Sequence, residues 1–178
     1  ETKGDKEKAK DALRKKGKQI AEKAAGREVK EGKLFGYQHF TGKIAVIVEV
    51  VCETDFVAKN DEFNAFGKGL CMTIAASSPP VQFLTREHVD PALVAKEREI
   101  VLAQTMQTMK GKPQNVVDKA VEGRMEKFFA EKCLMEMLYF DPSDQGAQRT
   151  VEQRRAELVG KIGENIQIRR FVRMELGG

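Results

Sequence analysis

The chain has 178 residues, 41% hydrophobic and 33% charged. That is enough apolar sequence for one sizeable domain, or a domain with a small appendage, and it excludes wholesale disorder and a short disulfide-stapled module. Lys and Arg total 31 against 27 acidic residues, a net charge of +4. Residues 1–32 hold 11 basic and 7 acidic side chains, so this segment alone supplies the +4 and the remainder is neutral. A nucleic-acid-binding domain shows its basic excess on the folded body. Here the excess lies on a tail, and no direct contact with nucleic acid is expected.

Three widely spaced cysteines, Cys52, Cys71 and Cys133, are an odd number and make no disulfide framework, which points to a reducing compartment. The longest apolar run, Ile44 to Cys52, is broken by Glu49 and is too short to span a bilayer, so no membrane contact is expected. The start is charged throughout and shows no signal peptide. Its first residue is Glu1 rather than methionine, as in a processed chain or a fragment.

Residues 5–31 read as helix, rich in Ala, Lys and Glu, with Ala9, Ala12, Leu13, Ile20, Ala21 and Ala24 as sparse apolar positions and Gly17 and Gly26 as punctuation. Such a stripe buries little area, and an arm or linker is predicted over residues 1–32. Residues 34–41 and 43–52 read as a hairpin turning at Thr41-Gly42. The second run is dense in β-branched residues: Ile44, Val46, Val48 and Val50 share one face, and Ala45, Ile47, Glu49 and Val51 the other. With both faces mostly apolar, this is a central strand or one whose second face meets a partner.

From Asp61 the period becomes helical, with Phe63, Phe66, Leu70 and Ile74 on one stripe ended by Ser77-Ser78-Pro79-Pro80. A loop leads to a helix over 91–109, capped by Asp90 with Pro91 in its first position and broken by Gly111-Lys112-Pro113. Residues 114–137 form another helix, burying Val117, Ala120, Val121, Met125, Phe128 and Phe129. A loop follows at 141–146, then a short helix over 150–162. The closing run, 165–176, alternates as a strand, with Ile166, Ile168, Val172, Met174 and Leu176 on one side and Arg170 as an interruption. The predicted fold is α+β: a three-stranded antiparallel sheet packed with helices, preceded by a helical arm.

Chemistry-bearing motifs are few. Neither phosphate-binding glycine pattern occurs. The two histidines, His39 and His88, stand in no metal-binding spacing, and the cysteines lack the close pairing of zinc sites, so no cofactor and no metal are expected. A nucleophile pair of Cys52 and His39 across the hairpin is conceivable, with Cys52 as a small core residue the simpler reading. The segment Glu53-Thr54-Asp55-Phe56-Val57-Ala58-Lys59-Asn60 falls at a strand-to-helix corner. Thr54 or Asp55 suits an N-cap. Phe56 is either a core anchor for the first turn or an exposed aromatic that enters a partner's pocket. A basic run, Arg14-Lys15-Lys16-Gly17-Lys18, leaves a ribosome- or RNA-associated binding module as the alternative function.

Cys52-Glu-Thr-Asp-Phe-Val-Ala-Lys-Asn60 is similar to the signature of the elongation factor Ts family, the nucleotide exchange factors of elongation factor Tu. The resemblance extends to Val121-Glu-Gly-Arg-Met-Glu-Lys127, to Lys161-Ile-Gly-Glu-Asn-Ile166 and to Arg169-Arg170-Phe171, in order over residues 5–178. It implies an exchange factor that makes and breaks no covalent bond, acting in the cytoplasm or an organelle matrix or stroma. Its binding residues for elongation factor Tu would be Thr54, Asp55, Phe56, Val57 and His39, with Asp55 and Phe56 entering on the magnesium side of bound GDP. Residues 4–17 resemble only the last helix of the family's ubiquitin-associated-like amino-terminal module. By the same resemblance, residues 1–32 are the remnant of that module plus a linker, and 33–178 a single core and dimerisation domain. Leu34-Phe-Gly-Tyr-Gln-His-Phe40 resembles the strand that opens the second half of the duplicated family members, which implies a homodimer here.

Overall fold

The computed structural model describes residues 6–141 and 148–177. Among them are six α-helices and three strands: α1 Lys6–Ala24, β1 Glu31–Gln38, β2 Ile44–Cys52, α2 Asp55–Lys59, α3 Asp61–Ala76, α4 Pro91–Thr108, α5 Gln114–Lys132, α6 Val151–Ile162 and β3 Ile166–Glu175. The chain divides into two compact units, one of residues 1–76 with 138–178 and one of residues 77–137. The loop expected at 141–146 lies, beyond Asp141, outside the described residues.

The first unit is built on an antiparallel sheet of order β1-β2-β3. The most apolar strand is the central one, as its two-faced pattern predicts. Its inner side chains, Val46, Val48 and Val50, are buried with Phe35, Ile166 and Ile168, and so are Phe63, Phe66, Leu70 and Ile74 of α3. Phe35 and Phe63 join the two layers, their ring centroids 5.8 Å apart.

β3 departs from simple alternation. Glu49 pairs with Arg170 but Val50 pairs with Ile168, so Arg169 is an extra residue in the ladder. A one-residue bulge reverses the facing of everything beyond it. Ile166 and Ile168 point into the core, while Val172 and Met174 point out and are exposed. The five apolar positions predicted to share one side are therefore split between two faces.

α1 ends at Ala24, shorter than the 5–31 stretch predicted, because Ala25-Gly26 turns the chain toward β1. Its carboxy-terminal half is seated: Gly17, Ala21 and Ala24 are buried. A Cβ placed on Gly160 of α6 would come within 2.6 Å of the Gly17 Cα. The paucity of bulk that suggested a loosely held arm is what lets two helix backbones approach this closely. α6 opens with a full capping box, in which the Thr150 side chain accepts from the Gln153 N–H at 3.2 Å and Gln153 Oε1 accepts from the Thr150 N–H at 2.9 Å.

In the second unit, α4 and α5 form a helical hairpin around Val101, Val117, Val121 and Met125, with Val94, Met109, Phe128 and Phe129 packed against them. The Asp90 side chain caps α4 by accepting from the Ala92 N–H at 2.8 Å. α5 stops at Lys132 rather than 137, because Cys133 turns extended and bridges to Phe83. Arg86 fastens this end: its guanidinium lies 4.5 Å over the Phe129 ring and forks to Glu126 and Glu136.

Candidate protein-binding site

The corner after β2 assigns a structural task to nearly every residue of the Cys52–Asn60 segment. Cys52 ends the strand, buried, with its thiol donating to the Thr54 carbonyl at 3.1 Å. Burial, reinforced by the nearby Glu164 carboxylate, pushes its pKa up to about 11, so it stays protonated at neutral pH. Thr54 is the N-cap of α2, its hydroxyl oxygen accepting from the Val57 N–H at 3.4 Å. Val57 and Ala58 are buried and root the single turn. Asn60 ends α2 and caps the next helix, Oδ1 accepting from the Glu62 N–H at 2.8 Å. On the open side Lys59 Nζ donates to Asp55 Oδ2 at 2.7 Å, and this hydrogen bond lowers the Asp55 pKa and raises that of Lys59.

Phe56 has no such task. It is 81% exposed, which excludes the core-anchor alternative. An aromatic ring fixed on a supported turn, with its apolar surface in water, is suited to a partner's pocket.

The corner is braced from two sides. The Glu164 carboxylate accepts from both donors of Thr54, the hydroxyl at 2.7 Å and the main-chain N–H at 3.1 Å. In the reverse direction Glu53 Oε1 accepts from the Asn165 N–H at 2.5 Å. Asn165 Nδ2 donates to the Arg27 carbonyl at 2.8 Å, and Arg27 Nη1 donates to the Gly163 carbonyl at 3.0 Å. Gly163 closes α6 in the left-handed region (φ 85°), which brings Glu164 and Asn165 to the corner. The sequence ends a helix at 162 and opens a strand at 165, but only the family resemblance marked 161–166 as a motif; the glycine after the helix is the local signal of the turn that carries Glu164.

His39 lies elsewhere. It ends the hairpin, its N–H donating to the Ile44 carbonyl at 2.8 Å, with Tyr37 Oη 3.0 Å from Nδ1 and the Phe40 ring 4.4 Å away. Cys52 pairs with Glu31, at the far end of β2. The nine residues of β2 thus separate the His39 and Thr54 ends by roughly 25–30 Å at ~3.3 Å per residue. No Cys52–His39 nucleophile pair exists. Of the five candidate residues, the fold gathers Thr54, Asp55, Phe56 and Val57, and leaves His39 apart within one chain.

A second surface lies on the outer face of the sheet. Leu34, Ile47, Val172 and Met174 are all exposed there, with Ile47 directly opposite Val172 in the ladder. Arg170 donates to Glu49 at 2.6 Å beside them. Among the described residues no three His, Cys, Asp or Glu side chains are placed to hold a metal ion, and no helix is long and apolar enough to cross a membrane.

A supported, outward aromatic and, on the same sheet unit, an uncovered apolar sheet face are the features of a protein-docking module. Comparison with known proteins makes the class specific. The family described as Elongation factor TS matches residues 1–147. Elongation factor Ts of Thermoanaerobacter sp. (strain X514) is 52% identical over 178 residues, covering 99% of this chain and 83% of the relative. Those of Geobacter metallireducens and Carboxydothermus hydrogenoformans are each 50% identical over 177 residues, covering 99% of this chain and 78% of each relative. The chain belongs to the elongation factor Ts family and is a translation elongation factor.

Proposed function

We propose that this chain binds elongation factor Tu and promotes release of GDP and its exchange for GTP, by inserting Asp55 and Phe56 on the magnesium side of the nucleotide site. The observation that carries the proposal is the exposure of Phe56 on a turn whose other residues are all engaged. Covering that ring on binding contributes about 2–3 kcal/mol. Displacing elements that hold the metal and phosphates weakens nucleotide binding, and nucleotide must weaken the factor's binding by the same factor. The step needs no covalent chemistry. Thr54 and Val57 serve by holding the turn, and Asp55 and Phe56 make the contact. Three buried, protonated thiols accord with a reducing compartment such as the cytoplasm.

The functional unit in this proposal is a two-fold homodimer. The exposed Leu34, Ile47, Val172 and Met174 are what a second copy would cover, and isologous pairing is the common way to do so. His39 and Phe56 of different chains would then serve one partner, which the separation along β2 permits. Release of labelled GDP from elongation factor Tu, with and without this chain, tests exchange; no acceleration overturns it. A mixed dimer, with His39→Ala in one chain and Phe56→Ala in the other, tests the shared surface. One composite site keeps both groups and stays active. Full activity as a monomer by light scattering would refute the dimer.

A further inference from the structure

We infer that Glu164 is the positioning residue of the Asp55–Phe56 turn: one carboxylate, gripping both donors of Thr54, sets the direction in which Phe56 is presented. The inference rests on the proposal that this turn is the docking element. α2 is a five-residue turn, too short to hold its own direction in water. Its only side-chain cap is a long bond, from the Val57 N–H to the Thr54 hydroxyl at 3.4 Å.

What orients the turn lies outside it. The last paired residues of β2 and β3 are Cys52 and Ile166, and beyond them the strands part. Just past that point two carboxylates take over the role of backbone carbonyls. Glu53 receives the Asn165 N–H, and Glu164 receives the Thr54 N–H and hydroxyl. The clasp is reciprocal, so residues 53–54 and 164–165 cannot shift independently. Bonds to an ionised acceptor are about twice as strong as neutral ones, and two from one carboxylate fix an angle as well as a distance. Thr54 and Glu164 are both only half-buried. Water can therefore satisfy their donors and acceptors when the clasp opens, so losing it frees the direction of α2 more than it lowers stability.

Glu164→Gln tests this, since a glutamine presents one acceptor and one amide donor where two donors converge. Amide hydrogen exchange of Val57 and Ala58 is read in the chain alone, with no partner present. Faster exchange there, with an unchanged rate at Val48, is expected; unchanged protection overturns the inference. Acceleration of GDP release from elongation factor Tu is then compared in wild type, Glu164→Gln, Phe56→Ala and the double variant. Glu164→Gln alone should lower it about tenfold at limiting concentrations. It should cost much less than tenfold once Phe56 is gone, because the turn then has only Asp55 left to present. Additive losses would overturn the inference. If wild type does not accelerate GDP release, the exchange proposal fails, and the amide measurement still decides whether Glu164 holds the turn. Should Glu164→Gln not fold, Glu164→Asp, which draws the carboxylate back from Thr54 and leaves the Thr54 cap in place, is read in the same way.

Discussion

Asp55 and Lys59 face each other across one turn of α2, with Nζ 2.7 Å from Oδ2, and Phe56 stands exposed beside them. The ion pair accounts for both charged residues of the turn and leaves the ring as its only unengaged group. Phe56→Ala should therefore leave stability within about 0.5 kcal/mol of wild type, as for other surface positions. The rate of GDP release should fall by about 30-fold or more, the equivalent of losing ~2 kcal/mol of burial at the partner. Thermal melting separates the two effects; a loss of several kcal/mol would mean that the ring is core after all.

The Asp55–Lys59 pair has a pH signature. The Lys59 hydrogen bond holds the Asp55 pKa below its ordinary value, so the contribution is present above the ordinary aspartate range and fades as pH falls through the lowered value. The same bond raises Lys59, whose contribution persists until pH rises through its elevated pKa. The pair is thus intact throughout the neutral range. Titration of the Asp55 carboxyl by carbon NMR should show its midpoint move up in Lys59→Met; an unmoved midpoint would show the pair absent in solution.

Gly160→Leu tests the seat of α1. With the Gly17 Cα within 2.6 Å of any added Cβ, the two helices must part, at a cost of about 1–3 kcal/mol. Deleting residues 1–25 should likewise lower the melting temperature, since Ala21 and Ala24 leave the core and Asn165 loses the Ala25 carbonyl as an acceptor. An unchanged melting temperature for both variants would restore a free arm.

Deleting Arg169 removes the bulge. Register then forces either Ile166 and Ile168 out of the core or Val172 and Met174 into it. Loss of cooperative unfolding in urea is the expected result, whereas Arg169→Ala, which keeps the residue count, should unfold cooperatively.

The three thiols should be inert in the native chain. Burial pushes Cys52, Cys71 and Cys133 up to about 11, leaving almost no thiolate at pH 7. Alkylation by iodoacetamide should be slow until denaturant is added, and should leave exchange activity unaffected. Rapid inactivation would revive a thiol-dependent chemistry.

Local pattern determined much of this protein. Helical and alternating periodicity located the three strands and α3, α4 and α6 to within a few residues and overran the ends of α1 and α5, because burial of one face imposes a period that neighbours in sequence must obey but does not mark where it stops. Caps such as Asp90 and Thr54 act within three or four residues of themselves, so they too were legible. Tertiary structure alone decided the rest. Whether Phe56 was core or surface depended on where Val57 and Ala58 found their burial, not on spacing. The facing of Val172 and Met174 turned on one extra residue in a ladder with β2. Gly17, read as punctuation within the first helix, became a contact point only once Gly160 lay against it. Glu164 lies 110 residues from Thr54, and nothing in either neighbourhood announces the other. A carboxylate and a hydroxyl carry no periodicity, so their meeting is fixed by the strand pairing of Cys52 with Ile166 that delivers them to one corner.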